Sequence, residues 1–525
     1  MSERTVCHHG MAKAKGCTHA AVGHFSRLFP SLDNLVLTED EAAAIGGPGG
    51  LMHDFDDDSP DSGVPAGYIF FAQLIDHDIT FDTTSDLRGD PLEPEAVAKL
   101  PNLRTASLDL DAVYGFGPEG SPQIYDADNP DCLAIHPNGF DLARSPSGTA
   151  LIGDPRNDEN IFVAQLHLVF HKAHNRFYNE RVRQLDIKER GWSRFEAAQR
   201  ETRYHYQWIV LFDFLKRICD PTVFAFAAAK LLDKKASFPL CYGLDNHDKL
   251  AMPVEFSTAA YRVGHAMVRN RYAVNGELKD IELFDKRFRT NGFTEIPAEL
   301  VVDWRHLLEM SPHVQPRMSK AFNPLLSDEL QDLPVVDSNN PNNRALAFRN
   351  LLRGSALGVP SGQAIAQALA AKGYPLGVTD LELDDVKGWK RVQAVLHKGP
   401  HDLAAETPLF YYLLRESEVV SGGARYGPLG SAILMEVFGG MLRLCEDSVL
   451  HAKYWQPDPC VTGTYTGNGY AHDNGKGNGK AHAKGKGNGK GNGHAAIDQD
   501  RLVNDPDYYP LQLADLVRFA MGTSD

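Results

Sequence analysis

The 525 residues hold 43% hydrophobic and 23% charged side chains, the ordinary balance of a globular chain able to bury a large core. A net charge of −16 disfavours nucleic acid or an anionic membrane as the general partner. Seven scattered cysteines exclude the dense disulfide framework of a small secreted module. With no apolar run long enough for a secretory signal or a membrane span, the expectation is a protein without a signal peptide, cytoplasmic or exported by a signal-less route.

Residues 1–63 are punctuated by Gly and Pro and end in the acidic run DFDDDSPD, so an extended N-terminal segment is expected there. Cys7 and Cys17 beside His8 and His9 are where a metal clip is conceivable, against a plain polar terminus. FFAQLIDHDITFD then sets one histidine between two carboxylates inside an apolar helical pattern. On a helix, Gln73 and His77 lie one turn apart on one face, and Asp76 and Asp78 flank that face on opposite sides. One segment thus aims a base one way and a ligand the other; the bland reading is a half-buried helix with solvated acids.

In LRTASLDLDAVYG, Thr105, Ser107, Asp109 and Asp111 alternate with Ala106, Leu108 and Leu110. In extended or looped backbone this directs four oxygen-bearing residues one way, as a hard cation such as Ca²⁺ requires, and Asp78 can add another ligand. A half-exposed strand has the same alternation. GDPRNDENIFVAQLHLVFHKAHNRFYNERV reads as a helix start followed by a long packed helix, with Arg156 at its mouth as either an ion-pair partner or an active-site cation. His167, His171 and His174 have metal-compatible spacing, but no carboxylate on their face completes a site.

EFSTAAYRVGHAMVRNRY is again helical in period. Gly264, immediately before His265, costs roughly 1 kcal/mol in a helix interior unless something such as a flat cofactor approaches closely. A satisfied core histidine is the plain alternative. Asn350 and Arg353 lie three apart on a helix ending in Gly and Pro, and two more helices fill Thr407 to Cys445. Residues 464–496 collapse to Gly, Asn, Lys and His, a low-complexity insert expected to be disordered, and residues 497–525 regain helical patterning. The fold class is mostly α.

Five blocks in order resemble the animal-type haem peroxidases of the peroxidase-cyclooxygenase superfamily, bacterial members included: AQLIDHD, TASLDLDAVYG, DPRNDEN with LHLVFHKAHNR, EFSTAAYRVGH and FRNLLRG. The resemblance runs from about Phe25 to the C-terminus and implies one catalytic domain over 64–463, rejoined by 497–525. It implies haem b, with His77 as distal base, Gln73 beside it, Arg156 as distal cation and His265 as iron ligand. Asn350 would accept the other N–H of His265, and Arg262 and Arg353 would face the haem propionates. Asp78, Thr105, Ser107, Asp109 and Asp111 match a Ca²⁺ loop, and Asp76 and Glu159 match the carboxylates that esterify haem in some relatives.

Two departures matter. Asn160 replaces the methionine through which some relatives form a sulfonium link to haem. The position three before the proximal histidine is Arg262, as in peroxidases, where cyclooxygenases carry a radical-forming tyrosine; Tyr261, about 100° away on a helix, is expected to point elsewhere. The resemblance therefore implies reduction of hydrogen peroxide through a ferryl intermediate and oxidation of a small organic or halide donor. A fatty-acid dioxygenase, a non-catalytic binding protein on the same scaffold and a non-haem metal protein are the alternatives.

Overall fold

The computed structural model describes residues 23–55, 59–81, 91–181, 193–243, 250–288, 290–334, 336, 338–377, 380–396, 402–453, 455–463 and 497–523. Helices dominate it, and the mostly α expectation holds. Cys7, Cys17, Asp82 and the 464–496 insert lie outside the described residues.

The core is organised as two helical walls. The first is built on Gly67–Ile79, which buries Tyr68, Ile69, Phe70, Phe71, Leu74 and Ile75 and so is apolar nearly all round. A helix of that composition must be enclosed. It packs on Ile161–Arg176, where the rings of Phe70 and Phe162 stack at 4.5 Å. Ile161–Arg176 is in turn covered by Arg194–Ile209 and by Leu513–Met521, with Phe177 and Phe519 in contact at 4.7 Å.

The second wall is the stretch Phe256–Met267, backed by the helices Leu346–Ala356, Leu409–Ser421 and Pro428–Leu444. Gly422 and Gly423, both at positive φ, turn the chain between the last two. Strands are short. Gly23–Ser26 pairs antiparallel with Pro101–Asn102 (Gly23 opposite Asn102) and parallel with Met252–Pro253, tying the N-terminal segment to both walls.

Three local expectations are corrected. The segment expected to be extended contains a helix, Glu39–Gly46, started by a capping box between Thr38 and Glu41 and buried through Ala42 and Ile45. The long helix begins later than its acidic approach suggests: Pro155–Asp158 is a 3₁₀ turn, and Asn160 caps Ile161–Arg176 by accepting from the amides of Phe162 and Val163. The stretch before His265 is not a regular α-helix, because Phe256–Ala260 is a π-turn and Tyr261–Met267 a 3₁₀ run. The first widens the coil and the second tightens it, so side-chain directions depart from 100° per residue.

Candidate functional site

Between the two walls lies a cavity of about 310 Å³, within the range of small-molecule and cofactor sites. Gln73, Asp76, His77, Arg156 and Glu159 line it from the first wall, and Arg262, Gly264 and His265 from the second. Its remaining surface is largely apolar, including Phe70, Val268 and Leu346. The structure thus brings together most of the residues that the sequence singles out.

On the first wall, Gly67–Ile79 buries His77 toward the cavity and ends where Thr80 turns extended. His77 gives Nδ1 to Asn157, whose Oδ1 is 2.8 Å away. Burial, then the charge of Arg156, pushes its imidazole down to about 4, so the ring is neutral at ordinary pH. Arg156 is clamped: Nε and Nη2 donate to Asp154 at 3.0 and 2.7 Å, and Nη2 also reaches the carbonyls of His77 at 3.2 Å and Thr80 at 2.8 Å. Its guanidinium lies 4.3 Å over the ring of Phe81. Burial pushes Asp154 up, but the hydrogen bond and charge of Arg156, with Arg104 behind, more than offset this and hold the carboxylate ionised. Nη1 of Arg156 makes no hydrogen bond to the described residues, so the cation keeps one donor edge for a cavity ligand.

The carboxylates differ. Asp76 accepts from Thr80 Oγ1 at 2.7 Å and from Arg262 Nη1 at 2.9 Å. Burial raises its pKa, but Arg262, His77 and Arg156 together bring it below the usual value. Among the described residues Glu159 has only Gln73 Nε2 as a side-chain donor, at 3.1 Å, and burial pushes it up to about 7. Gln73 is itself held by Asn160 Nδ2 at 3.1 Å.

On the second wall, His265 is pushed down to about 3 by burial and then by Arg262, which leaves a neutral imidazole suited to a metal. The amide nitrogen of Asn350 stands 3.3 Å from its Nδ1. To accept an Nδ1–H, as the sequence resemblance implies, that amide must turn over and bring Oδ1 inward. Arg262, expected at a propionate, instead pairs with Asp76 and gives Nε to the Ser257 carbonyl at 2.9 Å. Arg353 lies about one turn beyond Asn350 and does not line the cavity. Tyr261, expected to point elsewhere, lines it: it stands four residues before His265, about one turn of coil, and its hydroxyl donates to the Ala72 carbonyl at 2.9 Å.

These features suit a flat porphyrin. A Cβ built on Gly264 would meet nothing within 4 Å, so that glycine faces open space in the cavity wall. Neutral imidazoles border the cavity from both walls, apolar side chains line its faces, and arginine stands at its rim.

A second cluster lies on the far face of the His77 helix. Asp78, fully buried, accepts from the Leu110 amide and from Tyr206 Oη, each at 3.1 Å. Thr105 Oγ1 donates to Asp109 at 2.8 Å and lies 3.1 Å from Asp111. Ser107 is buried close by in the chain. Burial, then the charge of Asp111, pushes both Asp78 and Asp109 well above the carboxylate range. Among the described residues no three such side chains close to metal-shell geometry, yet the donor set of three carboxylates and two hydroxyls suits a hard cation. The histidines of Ile161–Arg176 are not such a centre: His174 is committed to Tyr114 Oη and the Asp131 carbonyl, and His167 and His171 bond each other.

The sequence pattern left out Asp154 and Arg104, which anchor Arg156, and Asn157, Asn160 and Thr80, which hold His77, Gln73 and Asp76. Only Asp154, two residues before Arg156, carried a local signal as the helix-start acid.

Fold and site define a helical protein with a buried cavity fit for a prosthetic group between two imidazole-bearing walls. The family model for animal haem peroxidase matches residues 87–372, more than half of the chain, and the chain belongs to that family of haem-dependent oxidoreductases. The matched span takes in Arg156, His265 and Asn350; the His77 helix precedes it. Among solved structures, peroxidase A from Dictyostelium discoideum is 14% identical with a TM-score of 0.56, over 86% of this chain and 95% of that one. The fatty acid α-dioxygenase of Oryza sativa is 15% identical with a TM-score of 0.52, over 82% and 77%. That of Arabidopsis thaliana is 14% identical with a TM-score of 0.52, over 82% and 73%. At such identities the likeness is one of fold. No curated protein sequence matches. Among the described residues no helix is long and apolar enough to cross a membrane.

Proposed function

We propose that this chain is a haem peroxidase that reduces hydrogen peroxide and oxidises a small organic or halide donor. The observation that carries this reading is one cavity bordered by a neutral His77 and a clamped Arg156 on one wall and a neutral His265 on the other. His265 would hold the haem iron, Asp76 and Glu159 are the candidate carboxylates for its ester links, and Arg262 and Arg353 are the candidate propionate cations. Ester formation at Asp76 would remove the charge that now engages Arg262 and free that guanidinium for a propionate. When bound, the haem would supply the two electrons, from iron and porphyrin together, that break the O–O bond.

The chain's own residues move the proton. His77 takes it from the near oxygen of peroxide and returns it to the far one, which leaves as water; a neutral imidazole can do both in turn. The open edge of Arg156 stabilises charge on the departing oxygen, and because Asp154 and two carbonyls fix it beforehand, little reorganisation is needed. Gln73, one turn before His77 at the same cavity, holds the Glu159 carboxylate. Ca²⁺ at Asp78, Thr105, Ser107, Asp109 and Asp111 would relieve the repulsion among buried acids and hold the His77 helix in register.

A fatty-acid dioxygenase is the second reading, favoured by Tyr261 at the cavity. Against it, the Tyr261 hydroxyl is bonded to a carbonyl, which is no base for the proton a tyrosyl radical must shed. The test is an absorption spectrum of haem-supplemented protein before and after one equivalent of peroxide, with oxygen uptake on linoleate in parallel. A Soret band that shifts with peroxide is expected; absence of the band, or linoleate-dependent oxygen uptake lost in Tyr261→Phe, would overturn the peroxidase reading.

A further inference from the structure

His77 is the cavity end of a hydrogen-bonded chain that runs back into the core. Its Nδ1 is 2.8 Å from Asn157 Oδ1, and Asn157 Nδ2 is 3.0 Å from His167 Nδ1. His167 Nε2 is 3.0 Å from His171 Nε2, and His171 Nδ1 is 3.0 Å from the carbonyl oxygen of Ala134. His77 is 5% exposed and the other three side chains 0%, so water does not compete for these links.

All but the last link leave the direction of the proton open, since either nitrogen of a neutral imidazole can donate and an amide can present either end. The Ala134 carbonyl can only accept. His171 must therefore carry its proton on Nδ1, and being neutral it offers a lone pair at Nε2. His167 fills that lone pair with its Nε2–H, which leaves its Nδ1 as acceptor for the Asn157 amide hydrogens. Asn157 then has only Oδ1 left for His77, which must bring an Nδ1–H. The orientation of the Asn157 amide in the structure is the one this order demands. Reversing any link sets two lone pairs or two N–H groups face to face in the core, a cost comparable to leaving a buried polar group unsatisfied. Burial keeps both inner histidines from escaping by taking a second proton.

We infer that His171, through His167 and Asn157, is a positioning residue that dictates the tautomer of His77 and so presents an unprotonated Nε2 to the cavity. The inference rests on His77 acting as the proton acceptor of the proposed reaction. His171 lies one turn beyond His167 on Ile161–Arg176, away from the cavity lining, so it acts only through this chain of bonds.

The test uses the full chain with ¹⁵N-labelled histidine rings, without haem and as the diamagnetic ferrous-CO form, with the His77 signals assigned by their loss in His77→Gln. Two-bond ¹H–¹⁵N correlations are expected to report Nδ1–H for His77. In His171→Leu, which deprives His167 of its acceptor, the Nε2–H form should appear and the second-order rate with peroxide should fall about tenfold or more. His171→Gln keeps a donor for Ala134 and an acceptor for His167, and should restore both tautomer and rate. An Nε2–H tautomer in the unaltered protein, an unchanged tautomer in His171→Leu, or equal loss in the Leu and Gln variants would overturn the inference. A protein with no Soret band but with the expected tautomer would sink the proposed activity and leave the hydrogen-bond assignment standing.

Discussion

His77 and Arg156 are fixed by hydrogen bonds that need no ligand and leave one ring nitrogen and one guanidinium edge for the cavity, whereas the His265 ring, among the described residues, has Asn350 as its one side-chain partner, at 3.3 Å, on backbone that shifts from π to 3₁₀. The first wall is arranged in advance to handle protons and charge, as catalysis by fixed dipoles requires. Under the proposed function the second would be completed by a coordinate bond. On that proposal one wall supplies rate and the other retention of the cofactor, and substitutions should separate the two.

The largest effect should come from His265→Ala, which is expected to lose the haem absorption band on gel filtration while the far-ultraviolet circular dichroism is kept. Arg156→Leu should keep the band and lower the peroxide rate on the order of 10² to 10³. If both variants lose haem alike, the division between walls is wrong.

Next in size is an acid sensitivity that both walls share. His77, His171, His174 and His205 are pushed down to about 4 and His265 to about 3, chiefly by burial. The unfolded chain takes up protons near 6.5 and the folded chain does not, so stability must fall as pH drops from about 6.5 toward 4. Each such histidine adds a slope approaching about 1.4 kcal/mol per pH unit in that window. Urea midpoints from pH 7 to 4.5 measure it, and a flat profile would contradict the neutral, enclosed rings.

The smallest effect, a shift of melting temperature by a few degrees, concerns the far face of the His77 helix. With chelator present, Asp78→Asn should raise the melting temperature, because it removes one of several mutually repelling buried acids. With calcium present the same change should lower it and slow the peroxide reaction through displacement of His77. A change of the same sign in both media would rule out a cation there.

How far the sequence foretold this arrangement differs between the walls. The His77 helix was legible because its apolar residues recur at helical spacing around one polar triplet, and the structure sends Asp76 and Asp78 to opposite sides as that spacing requires. The second wall was legible only in outline: π and 3₁₀ turns leave nearly the same apolar spacing as an α-helix, and the offset of Tyr261 from Arg262 hid its place one turn before His265. The His171 chain was invisible because its terminus, Ala134, is a main-chain carbonyl in a loop, and no residue type marks it. The N-terminal helix was hidden by neighbouring glycines, although Thr38 and Glu41 carry its start signal.

The helix that holds His167 and His171 is covered by Leu513–Met521, and Arg176 reaches the Phe519 carbonyl across 343 positions of chain. On a ribosome that delivers about 5–20 residues each second, the apolar flank of this helix stays bare for tens of seconds before its cover emerges. The first wall is therefore closed only after Leu513–Met521 has docked, and a chain cut before that segment would leave the flank of Ile161–Arg176 bare.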